Sequence, residues 1–138
     1  MNVNDAPEID YLLIGHLTAD ITPQGRKLGG TPSYAAATAQ SFGLRVGVVT
    51  SAKPDDPLIA ELGRWAHVQL IPSTETTTFE NVYGPGGRTQ YIRGVAAPIT
   101  LDAVPATWRN CPLVHIAPMA AEVAPEVAEQ RLPVLTPA

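Results

Sequence analysis

Three groups of residues in this sequence have the types and spacing to hold a small polar ligand. Gly29 and Gly30 stand directly before Thr31 and Pro32, a pair suited to the N-cap and first position of a helix. Glycines let a ligand approach the backbone closely, and the unpaired N–H groups of a helix N-terminus attract anions and polar oxygens. A plain tight turn into a helix is the other reading. Asp20 follows a wholly apolar run, Tyr11-Leu12-Leu13-Ile14, that ends at Gly15. Ligands of open α/β sheets bind beyond the carboxyl ends of strands, and a carboxylate there can accept hydrogen bonds from two hydroxyls of a polyol. A solvated loop aspartate is the bland alternative. Glu80, Asn81, Gln90 and Arg93 form the third group, in a polar hairpin. They either face a ligand or keep an edge hairpin soluble.

Other chemistries find little support. His16, His67 and His115 lack the spacing of a metal site, and His115 within an apolar run reads as a satisfied core histidine. Cys111 is the only cysteine, so no intrachain disulfide can form, and beside Pro112 it reads as structural or incidental. There is no Walker A sequence and no G-x-S-x-G. Thirteen acidic against nine basic residues give a net charge of -4, with no Lys/Arg cluster, which argues against nucleic acid. No basic region followed by an apolar run opens the chain and no stretch is apolar enough to span a bilayer, so a cytoplasmic protein without a membrane partner is expected.

The elements that must position these residues alternate. The 11–14 run reads as a strand buried on both faces of a parallel sheet. Residues 21–28 are polar and form a loop or a small exposed hairpin. Ser33 to Phe42 is alanine-rich and helical, with Gly43 at the position that ends it. Val46 to Thr50 is a second buried strand. Asp56 and Pro57 open a helix whose apolar face is Leu58, Ile59, Leu62, Trp65 and Ala66. Val68–Ile71 is a third strand.

Thr76–Tyr83 and Arg88–Arg93 then flank Gly84-Pro85-Gly86-Gly87, a hairpin with a four-residue loop. With Tyr83 opposite Arg88, one face carries Phe79, Asn81, Tyr83, Arg88, Gln90 and Ile92. Neither face is uniformly apolar, which suits a flap over something polar better than a piece of the core. Residues 102–108 read as a short helix, 113–116 as a fourth buried strand, 125–130 as a helix and 133–135 as the start of a fifth strand. The alternation predicts a parallel α/β sheet with an inserted hairpin, in a chain that stops while entering a strand and so looks incomplete.

The order of these pieces resembles the ribokinase (phosphofructokinase-B type) carbohydrate kinase family. Gly15-His16-Leu17-Thr18-Ala19-Asp20 resembles its glycine-to-aspartate segment. Gly29-Gly30-Thr31-Pro32-Ser33-Tyr34-Ala35-Ala36, running on to Phe42-Gly43, resembles its N-terminal signature. Residues 76–83 resemble its lid strands. The resemblance implies a ribokinase-like, Rossmann-like parallel sheet flanked by helices, truncated, with lid segments at about 21–28 and 76–94. It implies ATP-dependent phosphorylation of a hydroxymethyl group on a sugar, cyclitol or nucleoside, with ATP and Mg²⁺ as cofactors and a homodimer formed through the lid. By position, Asp20 binds substrate hydroxyls, Gly29 and Gly30 lie against the substrate and hinge the lid, and Tyr34, Glu80 and Asn81 contribute to the pocket.

Two departures qualify this. Tyr34 stands where the family commonly has asparagine, pointing to a different substrate. The Gly-Ala-Gly-Asp type motif that carries the family's catalytic aspartate and anion hole is not in the sequence, nor is its ATP site, so these residues alone are expected to lack kinase activity. A non-catalytic sugar-binding or interaction module derived from such a kinase remains an alternative, as does an unrelated α/β nucleotide-binding protein. The second leaves the polar hairpin unexplained. A Gly-Ala-Gly-Asp type motif in the coding DNA past Ala138 would favour the kinase over the module.

Overall fold

Apolar runs and polar strands segregate into two separate sheets in the computed structural model, which describes residues 6–131. In chain order the elements are β1 (Tyr11–Ile14), β2 (Thr18–Thr22), β3 (Gly25–Gly29), α1 (Thr31–Ser41), β4 (Val46–Ala52), α2 (Pro57–Leu62), β5 (His67–Pro72), β6 (Thr78–Gly84), β7 (Gly87–Gly94), β8 (Leu113–Ile116) and α3 (Pro125–Arg131). The first sheet is all parallel, in the order β5-β4-β1-β8. The second runs β3-β2-β6-β7.

The parallel sheet is the core. Every residue of β4 is buried, as its Val-rich sequence requires of a strand covered on both faces. Leu13, Val46 and Val48 pack on the side of α1 and α2 with Ala36, Ala39, Leu58 and Leu62. Leu12, Ile14 and Val49 face the other way, against Trp108, Ile99, Val104 and Val127. Trp108 is fully buried, and its indole N–H donates to the Pro7 carbonyl at 2.7 Å. The expected α/β sheet with flanking helices is therefore present.

Several boundaries differ from the sequence reading. The fourth strand, β8, is the sheet edge among the described residues and is only partly buried, with Leu113 exposed. Its His115 makes a side-chain contact at the rim, 2.8 Å from Tyr11 Oη. Helix α2 ends at Leu62 because Gly63 caps it, yet Trp65 and Ala66 still pack on the same cluster from the following turns. Residues 102–108 form two single 3₁₀ turns, Leu101–Ala103 and Ala106–Trp108, separated by Pro105, whose missing N–H interrupts the helical ladder. The expected strand at 133–135 lies outside the described residues.

The polar insertion is larger than one hairpin. Residues 18–29 form their own hairpin, β2–β3, beginning before the expected residue 21. Its strand β2 pairs in parallel with β6, which joins it to the β6–β7 hairpin. Tyr83 does oppose Arg88, and Gly84 pairs with Gly87, so the loop is a two-residue Pro85-Gly86 turn, shorter than the expected four. Strand β7 is exposed along almost its whole length, in keeping with a hairpin outside the core.

Candidate functional site

The β2–β3 hairpin brings the sequence-separated candidates together. Its register sets Thr18 against Gly29, so Asp20, two residues on, projects from the same face of β2 as Thr18. The Thr18 hydroxyl donates to Asp20 Oδ1 at 2.8 Å. Asp20 Oδ2 lies over Gly29, in the space a side chain at that position would fill. The glycine is thus required for Asp20, a different reason from the expected close approach of ligand.

Gly30 follows with φ 91° and ψ 149°, a backbone that L side chains rarely adopt. A Cβ there would also come within 2.8 Å of the His16 carbonyl. Gly30, not Thr31, is the N-cap of α1, and no side chain caps the helix. Thr31 becomes the first helical residue. Tyr34 stands in the first turn, 67% exposed.

The opposite wall comes from β6 and β7. Phe79 pairs with Asp20 on one side and with Ile92 on the other, and Asn81 pairs with Gln90. A cleft of about 230 Å³ is lined by Thr18, Asp20, Gly30, Thr31, Tyr34, Phe79, Asn81, Arg88, Gln90 and Met119. Asn81 lines the cleft, and its Oδ1 is buried and accepts no hydrogen bond among the described residues. A larger depression of about 570 Å³ lies over the ends of β2 and β6. It is walled by the polar sheet alone, whereas the smaller cleft is where that sheet, the α1 N-terminus and the Met119 loop converge. Convergence of polar groups from several elements marks the smaller one as the candidate site.

Glu80 is not part of that convergence. It points to the other face of β6, and Arg93 of β7 donates to its carboxylate at 2.7 Å. Strand alternation makes the separation unavoidable: if Asn81 faces the cleft, Glu80 cannot. Arg93 leaves the site with it. Of the expected residues, Asp20, Gly30, Tyr34 and Asn81 line the cleft, with Gln90 from the wider polar group.

The sequence reading missed two supporting clusters. At one, His16 Nε2 donates to the Ala97 carbonyl at 2.8 Å, and its Nδ1 then accepts from the Thr77 hydroxyl at 2.7 Å. Thr77 in turn accepts from the Ala96 amide at 2.9 Å. The buried Glu122 carboxylate accepts from the amides of His16, Met119 and Ala120 at 2.7–2.8 Å. Burial pushes the Glu122 carboxyl upward, but the donating amides of Ala120, His16 and Met119 outweigh it and hold the group below its usual value. Glu122 thereby fixes the loop that carries Met119 into the cleft.

At the other cluster, Asp56 caps α2 by accepting from the Leu58 amide at 3.1 Å. It also accepts from Arg26 of β3 at 2.7 Å and from the Thr76 hydroxyl at 2.7 Å. Burial again presses upward, and the bonds from Arg26, Thr76 and Leu58 win and lower the carboxyl. Asp56 so ties both hairpins of the polar sheet to the core. Only its capping role had a local signal, the Asp-Pro pair; its partners lie 30 and 20 residues away.

No protein-family model and no curated protein matches the sequence. Solved structures do match the fold. One is a pyrophosphate-dependent kinase in the ribokinase family, complexed with a pyrophosphate analogue and myo-inositol (TM-score 0.68, 22% identity, covering 87% of this chain and 44% of that one). A sugar kinase from Pyrococcus horikoshii in complex with ATP gives a TM-score of 0.64 at 16% identity, over 77% of this chain and 42% of that one. Ribokinase from Giardia lamblia gives 0.60 at 19% identity, over 88% and 50%. The chain has the mixed α/β ribokinase-like fold, and it spans half or less of the length of each of these kinases.

Proposed function

We propose that this chain is the acceptor-binding half of a carbohydrate kinase of the ribokinase type, whose full reaction is ATP-dependent phosphorylation of a hydroxymethyl group on a sugar, cyclitol or nucleoside. The observation that carries this reading is the convergence on one cleft of a half-bonded carboxylate, Asp20, and an unpartnered buried acceptor, Asn81 Oδ1. A carboxylate with an unbonded oxygen and an amide with an unmet acceptor, both on residues lining a polar cleft, suit a ligand that presents several hydroxyl donors. The polar sheet would close over that ligand as a lid and keep water from competing with it.

In this proposal ATP and Mg²⁺ belong to the full-length kinase and only acceptor binding to this chain, whose sequence has no Gly-Ala-Gly-Asp type motif. The cleft therefore supplies acceptor binding, and no transfer step is assigned to these residues. A pyrophosphate donor is the alternative raised by the likeness to a pyrophosphate-dependent kinase.

The test is calorimetric titration of the 138-residue chain with myo-inositol, D-glucitol, D-ribose and adenosine. Binding of at least one, abolished in Asp20→Ala, is the expected result. Indifference of every ligand to Asp20→Ala would remove the reading. A coupled ADP-release assay is expected to show no turnover with the chain alone.

A further inference from the structure

Two long stretches of the sequence carry no charged residue. One runs from Leu28 to Leu44 and contains α1, and the other runs from Asn110 to Ala121 and contains β8. A surface helix normally carries charged and polar residues on the side away from its core. Helix α1 instead turns two aromatic rings outward. Tyr34, Thr38 and the C-cap Phe42 recur every fourth residue along one face, with Tyr34 67% and Phe42 80% exposed. Beside that face runs a groove of about 470 Å³, which reaches Tyr11 and Leu44 and has no charged residue in its lining. The parallel register sets Leu113 of β8 next to Tyr11, so Leu113 stands on the same side of the sheet as the groove, and it is 52% exposed.

Strand β8 ends the row β5-β4-β1-β8 and pairs only with β1 among the described residues. Sheet edges that stay single are commonly guarded by lysine, proline or a bulge, and Leu113–Ile116 has none of these. One symmetry operation satisfies both the open edge and the bare helix. A two-fold axis at the edge, normal to the sheet, sets β8 antiparallel to β8 of a second copy, a pairing in which the same patch meets itself. Each α1 lies over its own β1 and β4, so the two helices share one face of the joined sheet and run antiparallel. The space over the two β8 strands lies between them, and Tyr34, Phe42 and Leu113 of both copies border it. Tyr34 and Phe42 stand equally far from Thr38 in opposite directions, so reversing the helix brings Tyr34 of one copy opposite Phe42 of the other. Charge favours a second copy as the occupant. Each copy has a net charge of -4, and a face without charged residues is where two such copies meet with least repulsion.

We infer that the α1–β8 face is a homodimer interface, in which two copies pair through β8 and join their four-stranded parallel sheets into one, with Tyr34, Phe42 and Leu113 packed over the junction. The polar sheet takes no part in this contact. Neither Asp20 nor Asn81 belongs to it, so it stands or falls independently of the acceptor-binding reading.

Sedimentation velocity of the full 138-residue chain, run from about 1 to about 200 μM, reads the assembly, and a monomer–dimer equilibrium within that range is expected. Phe42→Glu and Leu113→Lys alter exposed positions, so each should leave circular dichroism and the melting temperature of dilute protein unchanged. Each should weaken the dimer by about tenfold or more, because it puts a charge into the junction. Tyr83→Glu, at an exposed position near the tip of the polar sheet, should leave the dimer intact. Amide exchange across residues 113–116 should slow as the wild-type concentration rises and should not slow in Phe42→Glu.

A chain that stays monomeric across the whole range overturns the inference. So does a dimer that survives Phe42→Glu and Leu113→Lys but dissociates in Tyr83→Glu, since the polar sheet would then be the contact. A dimer whose β8 amides exchange at a rate independent of concentration overturns the strand pairing, and the inference with it. Growth beyond a dimer also overturns it, because a two-fold contact uses up the edge that makes it.

Discussion

Asp20 occupies the space that a side chain at Gly29 would need: a Cβ on Gly29 would collide with Asp20 Oδ2 and come within 2.8 Å of Oδ1. Gly29 has no positive φ, so alanine suits its backbone, and the nearest atoms its Cβ would meet are those of the Asp20 carboxylate. Gly29→Ala should therefore swing Asp20 out of the cleft while the fold persists. Polyol affinity should fall by about tenfold or more, about 1.4 kcal/mol, with a stability change of about 1 kcal/mol. In an Asp20→Ala background the same substitution should be silent toward ligand. Calorimetric titration of the two single variants and the double variant measures this coupling.

The Asp56 clasp predicts a pH dependence. Its folded carboxyl is lowered, so its contribution to stability is fully present above the unfolded value of about 3.9 and is lost as pH falls through the folded value. Asp56→Asn should cost about 1–3 kcal/mol at pH 7, because Arg26 loses its counter-charge and one acceptor oxygen is gone. The difference between the variant and wild type should shrink only as pH falls below the ordinary carboxylate value and through the lowered folded one. Urea melts at pH 7, 5 and 3 check this. Asp10, held at about 2 by Arg45, is expected to keep its ion pair through most of that range.

The parallel sheet was legible because β1 and the Val46–Val49 stretch of β4 are unbroken by charged or polar side chains, a pattern that fits burial on both faces. The polar hairpin was legible for the opposite reason: Phe79, Asn81 and Tyr83 alternate with Thr78, Glu80 and Val82 without forming an apolar side. Joining the two hairpins through β2 and β6 was not legible, since a parallel pairing between residues 19–21 and 78–80 leaves no local trace. The Asp20 and Gly29 match was half visible. Both residues drew notice from their types, but the reason for Gly29 lies in a cross-strand neighbour. Glu80 alternates with Asn81 along β6 and lies outside the smaller cleft, paired with Arg93, a placement its residue type alone does not reveal. Glu122 gave no warning at all, as its partners are backbone amides and any residue supplies those.

Thr77 offers a test of how the polar sheet is rooted. Its hydroxyl donates to His16 Nδ1 and accepts from the Ala96 amide, with Thr77 and His16 both fully buried. Thr77→Val keeps the shape and removes both bonds, leaving two buried polar groups unpaired at about 1–3 kcal/mol each. Global stability should drop accordingly in urea. Amide exchange in β6 and β7 should speed up more than in β4, because the lost bonds join the polar sheet to the core and leave the core strands untouched.

Tyr34 should separate selectivity from stability. It is 67% exposed in the first turn of α1 and borders the cleft, so its ring contributes little to the fold. Tyr34→Asn should change stability by no more than about 0.5 kcal/mol. A ligand with an aromatic base packs on the tyrosine face and loses about 0.5–1.5 kcal/mol, a drop of several-fold, when the ring is removed. A small polyol held by Asp20 and Asn81 has no such contact and should bind unchanged. Titrating adenosine and myo-inositol into both proteins gives the two ratios. A parallel fall for both ligands would mean that Tyr34 holds the cleft's shape instead of reading its occupant, and would move the basis of selectivity to the lid face of Asn81, Arg88 and Gln90.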